Sequence, residues 1–239
     1  MNPMILKVDV LGLEQILLNE QIIPRSAFSA QQAREMFFLA VEYPALTRDK
    51  VGAILWPDLS PELMTNCFHV TKARLNAALA VKDSQPLYRW NSTHQQYEFD
   101  HERVVVVYDV TEFERKVSLA RQLPAGKQAL QLLQDAIALY RGAYLPGIFS
   151  EWAQIRRTNL EMKFINALLN CGEAVAANGD PRLALEYYRR VLEVDEGNEE
   201  AHEHIRCLGP SETATPDYHS RRLLESVRLQ SVYPLTTAL

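Results

Sequence analysis

The spacing of hydrophobic positions changes along the chain, and the change predicts two kinds of secondary structure. The N-terminal runs ILKVDVLG and QILLNEQII are short, and they alternate or run apolar with turn candidates between them, which is typical of antiparallel strands. From about residue 30 to residue 80 the apolar positions recur three and four apart, the spacing of one helix face. The runs LYRW and YEF around NSTHQQ then predict a β-hairpin.

Residues with short polar side chains mark three helix starts in this region. Ser29, Thr47 and Ser60 each precede an apolar-periodic run, and their hydroxyl groups can accept hydrogen bonds from the free N–H groups of a first helical turn. Pro44 and Pro57 end the first two helices, since the residue before a proline avoids helical geometry. Strands, three helices and a hairpin in this order predict a winged helix-turn-helix, whose third helix can enter the major groove of DNA.

Beyond this region the chain becomes almost entirely helical in pattern. The segment ERVVVVYDV either finishes the sheet or begins the link onward. The later run ALLNCGEAVAANGDPRLALEYYRRVLEVDEGNEEAHEHI has the pattern of a tetratricopeptide repeat, in which stacked helix pairs bury their apolar faces. The predicted fold is therefore mainly α with a small β component, a winged helix-turn-helix followed by a tetratricopeptide-like α-helical module.

Composition limits the range of functions. The 239 residues carry a net charge of −5, and binding to DNA phosphates needs clustered Lys and Arg, so any DNA contact must be local. Cys67, Cys171 and Cys207 form no CxxC pair, which argues against a disulfide framework and favours a reducing cytoplasm. No apolar run approaches the roughly 20 residues that a membrane-spanning helix needs.

Two sets of motifs resemble known bacterial domains. The stretch AREMFFLAVEYP, followed by TRDKVGAILWPD, SPELMTNCFHVTKARLNAAL and a hairpin, resembles the OmpR-like winged-helix domain of bacterial activators. In SARP-type regulators that winged helix is followed by the bacterial transcriptional activator domain, BTAD. Four later stretches of this chain resemble that domain: YDVTEFE, AIALYRGAYLPG, EWAQIRRTNLEMKFINALL and GDPRLALEYYRRVLEVDEGNEEAH. The resemblance covers roughly residues 4–208.

The resemblance implies a function and a division into domains. It implies a cytoplasmic transcriptional activator that binds repeated elements in double-stranded DNA side by side, as a homodimer on the DNA, and contacts RNA polymerase. We expect a winged-helix domain at 1–106, a helical activator domain at 107–208, and a degenerate or truncated tail at 209–239, where GPSETATPDYHSRRLLES replaces a further helix pair. The phosphate-binding loop GxxxxGK[ST] is absent, and we expect no cofactor.

The helix at 60–80 is the candidate for reading DNA bases. On a helical wheel with Phe68 inward, small residues form the outward centre and polar residues flank it. Small residues let the helix approach the base edges in the groove closely. Asn can form two hydrogen bonds with adenine, and Arg can form two with guanine. The alternative is an ordinary solvated surface. The candidate residues are Asn66, His69, Thr71, Lys72, Arg74 and Asn76.

The hairpin and two arginines are candidates for further DNA contacts. His94, Gln95 and Gln96 form the predicted wing tip, and Arg48 and Arg89 are candidate phosphate clamps. A polar turn that contacts nothing is the alternative for the wing. Residues 1–108 hold ten basic and twelve acidic residues, whereas residues 60–82 hold three basic residues and one acidic residue. We therefore expect weak, salt-sensitive binding by one copy and avidity from paired copies.

Other functional classes have less support in the sequence. No nucleophile or paired-carboxylate motif occurs, so we expect no enzyme activity. His202, Glu203, His204 and Cys207 are close in sequence, but helical spacing turns the two histidines apart, so we expect no metal site. Trp56, Trp90 and Trp152 are expected to be core residues. The rival hypothesis is an interaction adaptor whose tetratricopeptide-like groove binds a protein and whose winged helix no longer binds DNA.

Overall fold

The computed structural model describes residues 3–80 and 85–208, and it is mainly helical with a small β component, as the sequence predicts. The strands are β1 (Met4–Asp9), β2 (Gln15–Leu18), β3 (Gln21–Ile22), β4 (Tyr88–Asn91), β5 (Gln96–Phe99) and β6 (Val104–Tyr108). The helices are α1 (Gln31–Glu42), α2 (Arg48–Leu55), α3 (Pro61–Ala78), α4 (Asp109–Gln122), α5 (Lys127–Leu139), α6 (Glu151–Ala177), α7 (Pro181–Val194) and α8 (Glu199–Leu208). The prediction of a degenerate tail at 209–239 lies outside the described residues.

The N-terminal strands form a four-stranded sheet in the order β3-β2-β1-β6. Strands β1 and β2 are antiparallel with Leu6 opposite Leu18, and β6 lies parallel to β1 with Val106 opposite Leu6. Asn19 and Glu20 make the turn between β2 and β3 with positive φ angles of 48° and 66°. The segment ERVVVVYDV thus completes the sheet, and its last residues begin α4.

Two of the three predicted helix caps are confirmed and one is wrong. The Thr47 side chain accepts a hydrogen bond from the Lys50 N–H at 3.3 Å, and the Ser60 side chain accepts one from the Leu63 N–H at 3.5 Å. Helix α1 begins after Ala30 and has no side-chain cap, so Ser29 lies one residue too early to serve as its cap.

Aromatic side chains form the core between the three helices and the hairpin. The Phe37 ring of α1 lies 6.0 Å from the Phe99 ring of β5, and the Phe68 ring of α3 lies 4.7 Å from the Tyr97 ring. Helices α2 and α3 approach closely at Gly52, where a Cβ atom would lie 2.3 Å from the sulfur of Met64. The result is a winged helix-turn-helix, with β4 and β5 as the wing (residues 88–99).

The chain divides into two compact units, and the N-terminal unit is discontinuous in sequence. It consists of Met1–Asp109 together with Leu145–Gln154, a stretch outside the predicted domain at 1–106. We call Leu145–Gln154 the returning segment. The second unit consists of Val110–Tyr144 and Ile155–Leu239.

The second unit contains the predicted repeat-like helix pair. Helix α7 begins after Asp180, whose side chain accepts a hydrogen bond from the Leu183 N–H at 3.1 Å. Its Tyr188 is 1% exposed and lies against Gly172 of α6, where a Cβ atom would be 2.5 Å from the tyrosine ring. Glycine at position 172 therefore lets the two helices pack closely, as the stacking of tetratricopeptide-like units requires.

Candidate nucleic-acid interface

One side of α3 is exposed and lined by small and polar side chains. Phe68 and Leu75 are fully buried on the opposite side and fix the orientation of the helix. Asn66 and Arg74 form no hydrogen bond or ion pair with any residue in the described part of the chain. We call the exposed set the reading face: Asn66, His69, Val70, Ala73, Arg74 and Ala77.

Two of the residues predicted to contact DNA bases are not on the exposed side of α3. Thr71 is 6% exposed, because it lies three residues after Phe68 and four before Leu75 and so shares their buried side. The Asn76 side chain hydrogen-bonds the backbone of Tyr88: its Nδ2 donates to the carbonyl oxygen at 2.9 Å, and its Oδ1 accepts from the N–H at 2.9 Å. Asn76 therefore connects α3 to the first strand of the wing, and its amide is occupied.

Lys72 lies between α3 and the wing. Its ammonium nitrogen is 4.8 Å from the centre of the Tyr97 ring, a cation–π contact. Burial lowers the pKa of Lys72 because the charged form loses solvation. Lys72 is thus partly buried, and its ammonium group lies against Tyr97 of the wing strand β5.

The wing turn is organised around Glu98. The carboxylate accepts hydrogen bonds from the side chain of Asn91 and from Gln96 Nε2 at 3.0 Å, and it lies 3.2 Å from His94 Nδ1. Burial acts to raise the pKa of Glu98, but the hydrogen bonds from Gln96, Asn91 and His94 outweigh it and lower the pKa to about 2. Of the three predicted wing-tip residues, only Gln95 projects from the turn without joining this cluster, with a φ of 51°.

The candidate phosphate clamps both have carboxylate partners. Arg48 Nε lies 3.0 Å from Asp49 Oδ1, and Arg89 Nε lies 2.9 Å from Asp100 Oδ2. Both arginine side chains remain about half exposed, at 42% and 50%. A DNA phosphate would therefore compete with an existing ion pair at each position, which weakens the expected gain from each contact.

Trp90 is a candidate interface residue that was not predicted from the sequence. It was expected to be a core residue, yet it is 45% exposed, whereas Trp152 is 9% exposed, as expected. The Trp90 ring packs against Tyr97 at 5.1 Å and lines an open cleft with Arg48 and Asp49. Its place near the end of a short strand, directly before the polar turn NSTHQQ, is the sequence signal that pointed away from the core.

One group of side chains has donor atoms close enough for a metal ion. Ligand atoms of Glu173, Glu200 and His204 lie within 4.8 Å of one another. The His204 ring is stacked on Tyr188 at 4.5 Å, and its Nε2 lies 3.6 Å from Glu173. The two glutamates are exposed, and exposed acidic groups of this kind are common without a metal ion.

The fold defines the class of this protein, a winged helix-turn-helix with a tetratricopeptide-like helical module. Residues 108–216 match the family model of the bacterial transcriptional activator domain. This part of the chain is thus similar to the activator domain of SARP-type regulators, as the motifs indicated. No curated protein matches the chain. No helix in the described residues is long and apolar enough to cross a membrane.

A solved structure has the same fold over nearly the whole chain. It is Mycobacterium tuberculosis EmbR in complex with a low affinity phosphopeptide, with a TM-score of 0.61 and 15% sequence identity. The match covers 99% of this chain and 67% of the EmbR chain. At this identity the likeness supports the architecture, a winged helix with a helical module.

Proposed function

We propose that this protein is a cytoplasmic transcriptional activator that binds double-stranded DNA through the reading face of α3. The observation that carries the proposal is the reading face itself, where Asn66 and Arg74 are exposed beside Val70, Ala73 and Ala77 and have no partner among the described residues. Small residues at the centre allow the helix to approach base edges closely. Asn and Arg can then form the paired hydrogen bonds that recognise adenine and guanine.

The wing and α2 would supply contacts to the DNA backbone. Arg48 at the start of α2 and Arg89 in β4 are the clamps, with Trp90 beside them and Gln95 at the wing tip. Phosphate contacts position a protein on the duplex, whereas base contacts give sequence selectivity. Because both arginines are already paired with carboxylates, one copy is expected to bind weakly.

Two copies on neighbouring DNA repeats would compensate for weak binding by one copy. Linked binding events raise the effective affinity without any new contact to DNA. In this proposal, the helical module contacts the neighbouring copy or RNA polymerase, and so stabilises the polymerase at the promoter. The BTAD match over residues 108–216 supports this role.

A second candidate function is a protein-interaction adaptor. The observation in its favour is an apolar groove in the second unit, at the ends of α4 and α6 and the start of α5. Its lining residues include Leu123, Ala129, Leu130, Leu133 and Ala174. In this case the groove would bind a protein partner and the reading face would be a solvated surface.

Fluorescence anisotropy separates the two functions. The full chain is titrated into labelled duplexes tiled across the DNA upstream of its own gene, at several salt concentrations. An activator gives selective binding that weakens linearly with the logarithm of salt concentration. The Asn66→Ala/Arg74→Ala variant should lose the selectivity while it keeps the residual nonspecific binding.

A matched control keeps the test specific to the reading face. Arg121 is an exposed arginine of α4, in the second unit, so Arg121→Ala removes one positive charge elsewhere. Its affinity and selectivity should equal those of the unmodified chain. Folded protein that shows no selective binding even at low salt would overturn the activator proposal and favour the adaptor.

A further inference from the structure

The returning segment is attached to the N-terminal unit by hydrogen bonds from both its backbone and its side chains. The Leu145 N–H donates to the Val10 carbonyl oxygen at 3.3 Å, and the Gly147 N–H donates to Glu14 Oε1 at 3.0 Å. Further along, the Ser150 hydroxyl donates to Glu35 Oε1, as does Trp152 Nε1 at 3.0 Å. A stretch more than a hundred residues away in sequence thus completes this unit.

Glu35 is the buried carboxylate to which the returning segment donates hydrogen bonds. It lies in α1 and is 8% exposed, and removing a carboxylate from water is costly unless hydrogen-bond donors replace the lost solvation. Its hydrogen bonds in the described part of the chain come from Ser150 and Trp152, both in the returning segment. If the segment withdraws, the carboxylate stays in α1 without these donors.

Helix α1 connects Glu35 to the proposed DNA-binding surface. Phe37, two residues after Glu35, packs on Phe99 of the wing strand β5 at 6.0 Å and on Phe28 at 5.6 Å. Because protein interiors are close-packed, a displacement of α1 is transmitted to the wing strand that it contacts. The wing in turn holds α3 through the hydrogen bonds between Tyr88 and Asn76.

We propose that Glu35 is a positioning residue for DNA binding, which acts by holding Ser150 and Trp152 of the returning segment. This inference rests on the proposed function and adds a means of regulating it. The returning segment lies between α5 and α6 along the chain. A partner that binds these helices and pulls Ser150 and Trp152 away from Glu35 would loosen α1, and the chain would bind DNA less tightly without any change in the reading face.

The test removes both donors and keeps an aromatic ring at position 152. In the Ser150→Ala/Trp152→Phe variant of the whole chain, a smaller aromatic ring takes the place of the indole that packs at 6.5 Å from Tyr43, and Glu35 loses its two donors. Loss of partners for a buried charged group should accelerate amide hydrogen exchange in α1 by about tenfold. Exchange in α7, in the other unit, should stay unchanged and serves as the internal control.

DNA affinity is measured on the same variant, at a temperature where circular dichroism shows that it is fully folded. We expect affinity about five- to tenfold lower than that of the unmodified chain, since the wing is held less firmly. Adding Glu35→Met to the double variant removes the stranded carboxylate and replaces it with an apolar side chain. The triple variant should recover slow exchange in α1 and most of the DNA affinity.

Each result bears on the proposal. Unchanged exchange in α1, or equal acceleration in α1 and α7, would overturn it, because the effect would then be absent or global. Faster exchange in α1 with unchanged DNA affinity would overturn the positioning role. If the unmodified chain does not bind DNA, the proposed function fails instead, and the exchange measurement still shows whether Glu35 fixes α1.

Discussion

The reading face of α3 and the turn of the wing contain similar polar residues in very different states. On the reading face, Asn66 and Arg74 have no internal partner within the described residues. In the wing, Asn91, His94 and Gln96 all contact one carboxylate, that of Glu98. The polar groups of the reading face are available to a ligand. Those of the wing turn already form hydrogen bonds with one another, and these bonds hold the turn in its conformation.

This difference indicates a division of roles. An exposed amide that has no partner can exchange water for a base edge at little cost, whereas an amide that already holds a buried strand cannot leave it without a penalty. Asn66 and Asn76 make the contrast within a single helix. The same residue type, ten positions apart, is a candidate ligand contact at one site and a structural connector at the other.

The largest effect on DNA affinity is expected when the two polar side chains of the reading face without internal partners are removed. Asn66→Ala/Arg74→Ala should lower the affinity for the selected duplex by about thirtyfold or more, because each of the two paired base contacts contributes about 1–3 kcal/mol of discrimination. Thermal stability should be unchanged, since both side chains are exposed. Anisotropy with selected and scrambled duplexes checks the first claim and calorimetry the second. A variant that loses stability and affinity together would place these side chains in the fold rather than in the interface.

The second prediction concerns the connector. Asn76→Ala should lower the free energy of unfolding by about 2 kcal/mol, because the N–H and carbonyl oxygen of buried Tyr88 both lose their partner. Asn66→Ala is the matched control and should change it by less than about 0.5 kcal/mol. Urea unfolding of the two variants measures both values. Equal stabilities would show that the hydrogen bonds to Tyr88 contribute nothing and would remove the contrast between the two asparagines.

Local signals in the sequence were sufficient to predict the succession of elements. The caps at Thr47 and Ser60 lie within three residues of the N–H groups that they bind, and the strands of the hairpin flank one polar turn. Such features depend on the nearest neighbours along the chain, so a single sequence contains all of their causes. The start of α1 was misplaced because a serine nearby resembled a cap.

The errors in the predicted site come from contacts between distant residues. Asn76 is 12 positions from Tyr88, and Glu35 is 115 and 117 positions from the two donors that it holds. A helical wheel gives the direction of a side chain but cannot show what lies in that direction. Thr71 is an error of another kind, because its spacing from Phe68 and Leu75 already places it on the buried side of α3. Trp90 was assigned to the core, but its side chain is 45% exposed although Tyr88 of the same strand is buried.

The third prediction tests whether Glu98 organises the wing. Its pKa of about 2 lies below the ordinary value of 4.5, so ionised Glu98 stabilises the folded state above pH 4.5, and this contribution is lost as the pH falls towards 2. Glu98→Gln should therefore be less stable than the unmodified chain by about 1 kcal/mol at pH 7. The difference should shrink as the pH falls from 4.5 to 2. Unfolding in urea at several pH values measures it, and a difference independent of pH would contradict the assignment.

The smallest effect is expected at the clamps, because DNA must displace a carboxylate from each of them. Arg48→Ala and Arg89→Ala should each lower the affinity for every duplex by about two- to threefold. Each variant should also reduce the slope of log affinity against log salt concentration by about 1, since one phosphate contact is lost, while sequence selectivity stays unchanged. Asp100→Asn provides the converse variant, because it frees Arg89 from its charged partner and should strengthen binding. If Arg89→Ala changes selectivity instead of the salt slope, the arginine contacts bases, and the division between a reading helix and a positioning wing fails at that residue.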